Sequence, residues 1–156
     1  MFPILYQDIV ISTVPQHHGL GVLSDAFNCK CEEARNGIYE LTFDYPITGI
    51  HAQELSYLRI IKEKPNPTDD PQLFFIDRIG KVMNGKFTVY CKHISYLLSG
   101  YEITTGTAGS AVAACALLQS AASGFIITTD KSTTGNFKIS EPSSVRSWFG
   151  GKTGSL

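Results

Sequence analysis

The chain has 156 residues and a formal net charge of −1, and 43% of its residues are hydrophobic while 17% are charged. This length suffices for one domain or slightly more, and the apolar content suffices for a core. A nearly neutral chain lacks the basic surface that nucleic-acid phosphates require, which argues against a nucleic-acid partner. No apolar run is long enough to span a bilayer, and the start has no signal-peptide pattern, so we expect synthesis in the cytoplasm.

Two Asn-Gly dipeptides separate segments in which apolar and polar residues alternate. A period of two predicts a strand with one buried face, and Asn-Gly between two such strands predicts a hairpin. The type I′ turn of that hairpin needs positive φ at both central residues, which Asn and Gly tolerate. We therefore predict hairpins at Asn36-Gly37 and at Asn84-Gly85. The strand before the first turn would direct three residues to one buried face: Phe27, Cys29 and Cys31.

A proline-rich loop, KPNPTDDP at 64–71, connects the strands predicted over 57–63 and 73–79. Its three prolines cannot donate to a sheet ladder, and its two adjacent acids favour solvent. We therefore predict an exposed, mobile tip. A further strand is predicted over 86–93.

The residues after Gly100 differ in composition from those before it. A Thr- and Gly-rich connector is expected over 101–109, followed by an alanine-rich helix over 110–123 that Ser110 would cap. Strands are predicted over 125–129 and 136–140, and a short helix is predicted over 145–149.

Several segments of the sequence resemble those of a known family. They are RNGIYELTFDYPITGIHAQEL, RIIKEKPNPTDDPQLFFIDRI and HISYLLSG, in this order. They are similar to the N-terminal region of phage and prophage tail proteins, the tail-associated minor structural proteins also called the prophage tail endopeptidase family. The resemblance runs from about Pro3 to the last residue. These relatives are baseplate hubs of long-tailed phages of Gram-positive hosts.

The resemblance implies a structural role without a cofactor. It implies a three-fold ring of copies that continues the tail tube at the virion tail tip, with distal tail and tape-measure proteins as neighbours. It also implies that any peptidase or cell-wall hydrolase lies further toward the C-terminus, so that this part is not an enzyme. We therefore expect an N-terminal piece of a longer protein, or a very short member of the family, made in the bacterial host cytoplasm.

Three of the four cysteines, together with one histidine, suggest the hypothesis of a split zinc site. Its four ligands would be Cys29, Cys31, Cys91 and His93. Spacing by two is what any strand gives, and no CxxC turn gathers the ligands. We therefore interpret these cysteines as reduced core residues without metal. The His17-His18 doublet is similarly interpreted as an exposed turn rather than a metal site.

A catalytic site is not expected. The residue types of a hydrolytic triad are present in His51, Asp77 and Ser110, but the sequence does not support such a triad. No GxSxG elbow is present, and Ser110 begins a helix, where its hydroxyl would cap backbone amides. The aromatic residues could instead stack on a sugar, as in a carbohydrate-binding module, but strand spacing favours core positions. These are Tyr39, Phe43, Tyr45, Tyr57, Phe74, Phe75 and Tyr90.

The sequence thus predicts an α+β, β-rich fold: an antiparallel, partly closed barrel or sandwich over residues 1–100, followed by a small helix-containing unit over 101–156. The second unit is expected to be cut short. The predicted function is that of a tail-tip or hub component, and the alternative is a carbohydrate-binding module or a cell-wall or peptide hydrolase. The candidate interface consists of Pro65, Asn66, Pro67, Thr68, Asp69, Asp70, Pro71, Trp148 and Phe149.

Overall fold

The computed structural model describes residues 2–8, 19–34, 37–122 and 125–149, with Asp8, Trp148 and Phe149 described by their backbone only. The described chain divides into two compact units, and the division falls between Ile94 and Ser95. A 3₁₀ helix, Ile94–Gly100, begins at this division.

The first unit is one antiparallel sheet of seven strands. The strands are β1 (Ile4–Asp8), β2 (Gly21–Val22), β3 (Phe27–Glu33), β4 (Tyr39–Pro46), β5 (Arg59–Glu63), β6 (Gln72–Ile79) and β7 (Lys86–His93). Their order across the sheet is β2-β1-β5-β6-β7-β4-β3, so β2 and β3 form the edges. The sheet is curled into a half-barrel, and the predicted β-rich antiparallel fold class is confirmed.

The concave face of the curled sheet encloses the core of the first unit. Alternate residues of neighbouring strands meet on this face, as Leu41 and Cys91 do directly across β4 and β7. Burial of such apolar side chains contributes about 1.5–3 kcal/mol each. The fully buried large residues are Leu5, Leu23, Leu41, Phe43, Tyr45, Ile61, Phe74, Ile76 and Val89.

A β-bulge in β3 makes part of the predicted face assignment wrong. Phe27 pairs with Asp44 and Lys30 pairs with Thr42, so two residues of β3 oppose one residue of β4. Asn28, at the bulge, has a φ of 52°. The extra residue reverses the alternation, because one inserted residue moves every earlier side chain to the other face. Phe27 therefore lies on the outer face, and Cys29 is exposed rather than part of the core.

The two hairpins differ at their turns. Asn84 and Gly85 have φ values of 52° and 75°, as the predicted type I′ turn requires. In the first hairpin the amide of Ala34 donates to the carbonyl of Ile38 over 2.7 Å. Three residues therefore lie between the hydrogen-bonded residues Ala34 and Ile38, whereas the predicted hairpin turn had two. Asn36 itself lies outside the described residues.

The second unit contains an alanine-rich helix and short strands. They are β8 (Glu102–Ile103), β9 (Gly106–Ser110), α1 (Ala111–Ala121), β10 (Thr134–Ile139), β11 (Ser143–Ser144) and α2 (Val145–Phe149). Strand β9 pairs with β10, and β8 pairs with β11. The predicted connector over 101–109 therefore contains two strands, because β10 and β11 supply their hydrogen-bond partners. Helix α1 packs with Ile103, Ile139 and Val145 through Leu118.

Local chemistry explains one confirmed feature and one error in this unit. Ser110 caps α1, since its hydroxyl accepts the amide hydrogen of Ala113 over 3.2 Å. The strand predicted over 125–129 is absent, because the Gln119 side chain takes the place of a partner strand. Its amide nitrogen donates to the Phe125 carbonyl over 2.7 Å, and its oxygen accepts from the Ile127 amide over 2.8 Å.

Candidate functional site

The predicted interface loop, 65–71, is organised around one asparagine. The Asn66 side-chain oxygen accepts the backbone amides of Thr68 and Asp69 over 3.0 and 2.9 Å. Its nitrogen donates to the Asp69 carboxylate over 2.6 Å. Residues 67–70 are exposed, as predicted. The loop therefore presents a polar tip whose conformation the Asn66 side chain maintains.

The second predicted interface segment, Trp148 and Phe149, ends helix α2. Ser144 caps this short helix, because its hydroxyl accepts the Ser147 amide over 3.1 Å. The side chains of Trp148 and Phe149 lie outside the described part, so their predicted interface role stays a prediction.

Exposed apolar side chains gather at one end of the sheet, which we call the apolar end. At this end β4 and β6 finish and β5 and β7 begin. The group comprises Ile47, Ile50, Tyr57, Leu58, Ile79, Val82 and Met83. Ile50 is 80% exposed and Met83 is 70% exposed, which is unusual for side chains of this size in a group.

Backbone hydrogen bonds fix the segments that carry the apolar end. The amide of Ile47 donates to the Gly85 carbonyl over 3.0 Å, and the amide of Leu58 donates to the Ile76 carbonyl over 2.9 Å. Leu58 has a φ of 65°, a left-handed conformation that costs a side-chain-bearing residue about 1–2 kcal/mol. The surrounding pairing therefore maintains a strained residue within this surface.

A buried carboxylate, Asp44, lies on the outer face near the apolar end and is only 9% exposed. It accepts hydrogen bonds from Lys86 over 2.6 Å, from Thr88 over 2.6 Å and from Asn28 over 3.0 Å. These bonds, the one from Lys86 foremost, lower the pKa of Asp44 to about 2. The cluster joins β3, β4 and β7, and Lys86 also lies over the Phe27 ring at 5.3 Å.

The opposite end of the concave face, which we call the polar end, is formed by Tyr39, Glu63, Gln72 and His93. Glu63 is the last residue of β5 and lies directly across from Gln72, the first residue of β6. His93 lies 3.3 Å from the Gln72 side-chain oxygen and stacks on Tyr39 with ring centroids 4.3 Å apart. Phe74 meets both rings edge-on. An aromatic cluster thus adjoins a carboxyl group.

The titratable groups at the polar end are shielded from water. Burial raises the pKa of Glu63, and desolvation together with the charge of Glu33 raises the pKa of Tyr39 to about 12. Desolvation also raises the pKa of Cys31 to about 11. A thiol with a raised pKa is a poor nucleophile, because the thiolate is the reactive form. Cys31 is therefore a poor candidate for a nucleophile at this end.

The residues of the imagined triad each have another partner. His51 Nδ1 lies 2.5 Å from Glu54, Asp77 lies 3.1 Å from Lys92, and Ser110 caps α1. Within the described residues, no group of three or more His, Cys, Asp or Glu side chains could hold a metal ion. Of the proposed zinc ligands, Cys29 is exposed, whereas Cys91 is buried on the concave face of the sheet. His17 and His18 lie outside the described part.

The aromatic residues considered as a sugar platform are dispersed rather than arranged as one surface. Tyr39, Phe43, Tyr45 and Phe74 belong to the core cluster or pack against it. Tyr57 is 65% exposed but lies at the apolar end. The structure therefore brings together Tyr39 and Phe74 with His93, and separates this group from Tyr57.

The sequence interpretation missed both ends of the sheet as surfaces. The signal for the apolar end was Ile79, Val82 and Met83 flanking an Asn-Gly turn, where polar residues are usual. The signal for the polar end was Glu63, a charged residue that continues a run of buried isoleucines into the strand end. Alternation alone could not reveal it, because Ile60 and Ile61 are both buried.

Comparisons with known proteins found no match for this chain among family models, curated proteins or solved structures. Among the described residues, no helix is both long and apolar enough to cross a membrane.

Proposed function

We propose that this chain is a structural component of a phage or prophage tail tip or baseplate hub. In this proposal it assembles as a ring of copies, three-fold in the full-length protein, and contacts distal tail and tape-measure proteins. Its place is then the virion tail tip, and it is not itself an enzyme. The sequence phrases that resemble tail-associated minor structural proteins suggest the setting. The observation that carries the proposal is the apolar end of the sheet.

The apolar end favours assembly because its side chains are exposed together. A group of exposed apolar side chains is typical of a surface that a partner covers. Val82 and Met83 project from the β6–β7 turn, and Tyr57 and Leu58 precede β5 at the same end. Tyrosine and methionine are enriched in protein interfaces, which supports a polypeptide partner rather than a small ligand.

A ring needs two different surfaces on each copy, because every subunit meets one neighbour on each side. The second surface in this proposal is the loop 65–71 of the first unit, and the segment Trp148–Phe149 of the second unit is a separate candidate contact. The loop tip is polar and lies beyond the ends of β5 and β6, away from the apolar end. One apolar and one polar surface on the same chain support a head-to-tail contact over a contact between like surfaces.

Sedimentation velocity over a concentration series, followed by electron microscopy of the largest species, tests the proposal. Ring assembly predicts a concentration-dependent species of defined size with three-fold symmetry for the full-length protein. A full-length protein that remains monomeric at all concentrations contradicts the hub. Hydrolysis of peptidoglycan, peptides or glycosides that is lost on substitution of His51 or Asp77 would instead favour an enzyme.

A further inference from the structure

Two asparagines precede a glycine in the sequence, Asn36 and Asn84, and the structure distinguishes the glycines. The backbone nitrogen after an asparagine can attack its side-chain carbonyl carbon, and glycine obstructs this attack least because it has no Cβ. The attack requires loss of the amide hydrogen, which a hydrogen bond opposes. The amide of Gly37 donates to the Ala34 carbonyl over 3.0 Å. Among the described residues, no acceptor receives the amide hydrogen of Gly85.

The turn that contains Asn84 is exposed and has room to change its backbone conformation. A Cβ added to Gly85 would meet no heavy atom within 4 Å. Met83 and Lys86 exchange two backbone hydrogen bonds over 2.8 and 3.1 Å, and the Gly85 carbonyl accepts the Ile47 amide over 3.0 Å. The Asn84–Gly85 peptide must rotate out of this bonded turn before its nitrogen can reach the asparagine side chain. The attack is therefore slower in the folded chain than in the unfolded chain.

The other asparagines of the described part are less suited to this reaction. The side chain of Asn28 donates to Asp44 over 3.0 Å, which restrains its carboxamide. Asn66 precedes Pro67, whose nitrogen carries no hydrogen to lose. Asn136 lies inside β10 and is followed by a bulky aromatic residue. The structure thus favours Asn84 among the asparagines that it describes.

We propose that Asn84, in preference to Asn36, is a site of spontaneous deamidation. The Gly85 nitrogen forms a bond to the Asn84 Cγ atom, and the side-chain nitrogen leaves as ammonia with the hydrogen of the Gly85 amide. Water then adds to either carbonyl carbon of the resulting cyclic succinimide and opens the ring. The products are aspartate and isoaspartate, and water is the only co-reactant. This inference does not depend on the proposed hub function.

Deamidation adds a negative charge to the apolar end. The new carboxyl group has an ordinary pKa of about 3.9, so it is ionised at neutral pH directly beside the exposed Met83. In isoaspartate the backbone runs through the side-chain methylene, so the lengthened turn should lose the bond between Ile47 and Gly85. A partner that covers this surface would have to desolvate the new charge. Weaker self-association after deamidation is therefore expected, and this consequence rests on the proposed function.

Peptide mapping by mass spectrometry, during storage of the unmodified chain at pH 8, tests the site. The tryptic peptide 82–86 contains Asn84 as its one asparagine. We expect replacement of its amide by a carboxyl group, and labelling of the isoaspartate product by an isoaspartate methyltransferase. Conversion at Asn84 should be at least about tenfold faster than at Asn28 or Asn66, and also faster than at Asn36. Conversion at Asn84 that is no faster than at Asn28, or slower than at Asn36, overturns the proposal.

Asn84→Gly is the matched control, because glycine tolerates the positive φ of the turn and has no side-chain amide. Its peptide 82–86 should stay unchanged during storage. Self-association that falls for the unmodified chain but not for Asn84→Gly supports the link to assembly, whereas unchanged self-association after complete conversion overturns that link. A chain that does not associate even when fresh contradicts the hub proposal instead, and the mass spectra still decide whether Asn84 is the site.

Discussion

Two buried carboxylates at opposite ends of one sheet have opposite surroundings. Asp44, near the apolar end, accepts bonds from Lys86, Thr88 and Asn28. Glu63, at the polar end, keeps one buried oxygen without a partner. Their pKa values shift in opposite directions, because hydrogen bonds favour the ionised form of Asp44 whereas burial disfavours that of Glu63. A buried charge with its hydrogen bonds made contributes to the fold, whereas an unsatisfied one costs stability.

The apolar end should give the largest effect when it is changed. The double substitution Val82→Glu with Met83→Glu places two charges on the exposed turn, where an assembly contact would have to desolvate them. We expect self-association to weaken at least about a hundredfold, measured by sedimentation velocity. Ile38→Glu is the control, since Ile38 is 50% exposed but precedes β4 at the other end. Equal weakening by the control would remove the distinction between the two ends.

Asp44→Ala should destabilise the free chain by about 2–3 kcal/mol at pH 7, since it leaves Lys86 and Asn28 without their acceptor. Urea unfolding followed by circular dichroism measures this change. Thr88→Val removes only one neutral donor and should cost less. A cost no larger than that of Thr88→Val would mean that Asp44 is not the centre of the cluster.

The pH dependence of Asp44 has a definite sign. The pKa of Asp44 is lowered from 3.8 to about 2 in the folded chain, so its stabilising contribution is present above pH 3.8 and is lost as the pH falls toward 2. The stability advantage of the unmodified chain over Asp44→Asn should therefore disappear across that range. An advantage that is constant from pH 5 to pH 2 would contradict the pairing.

Glu63→Gln should behave in the opposite way, with a smaller effect. Burial raises the pKa of Glu63 above its ordinary value of 4.5, so ionisation in the folded chain opposes stability as the pH rises through that raised pKa. Desolvation raises the pKa values of the Cys29 and Cys31 thiols, and the negative charge of Glu63 raises them further. We expect Glu63→Gln to be more stable than the unmodified chain by about 1 kcal/mol at pH 8 and equal at pH 4. Thermal unfolding at both pH values provides the measurement.

The smallest effect concerns the strained residue at the apolar end. Leu58→Gly relieves the positive φ, whereas Leu58→Ala keeps the strain and removes the same side chain. We expect the glycine variant to be more stable than the alanine variant by about 1 kcal/mol in chemical unfolding. Equal stabilities would show that the backbone at Leu58 relaxes in solution.

Local chemistry made part of the fold predictable from the sequence. The residue types Asn84 and Gly85 determine the turn they form, and the Ser110 side chain determines the helix cap. Buried and partly buried residues alternate through most of the strand Lys86–His93. The errors arose where a distant group replaced the expected partner. The bulge at Asn28 depends on Asp44 of another strand, and Gln119 satisfies the backbone of residues 125–127.

The candidate sites were less predictable than the fold. The exposed loop 65–71 could be recognised from its prolines and acids, since these features act locally. The role of Glu63 depends on which face of β5 is concave and on what lies across from it. That information comes from strand pairing, which the sequence pattern of a doubly buried strand does not contain.

The bulged edge strand β3 has a consequence for how copies of this chain meet. An open strand edge is a template for indefinite strand addition, which leads to amyloid-like fibres. The bulge at Asn28 interrupts that template, and Lys30, Glu32 and Glu33 place charges along it. Growth by sheet extension is thereby discouraged at this edge, so the chain carries its own protection against open-ended aggregation through β3.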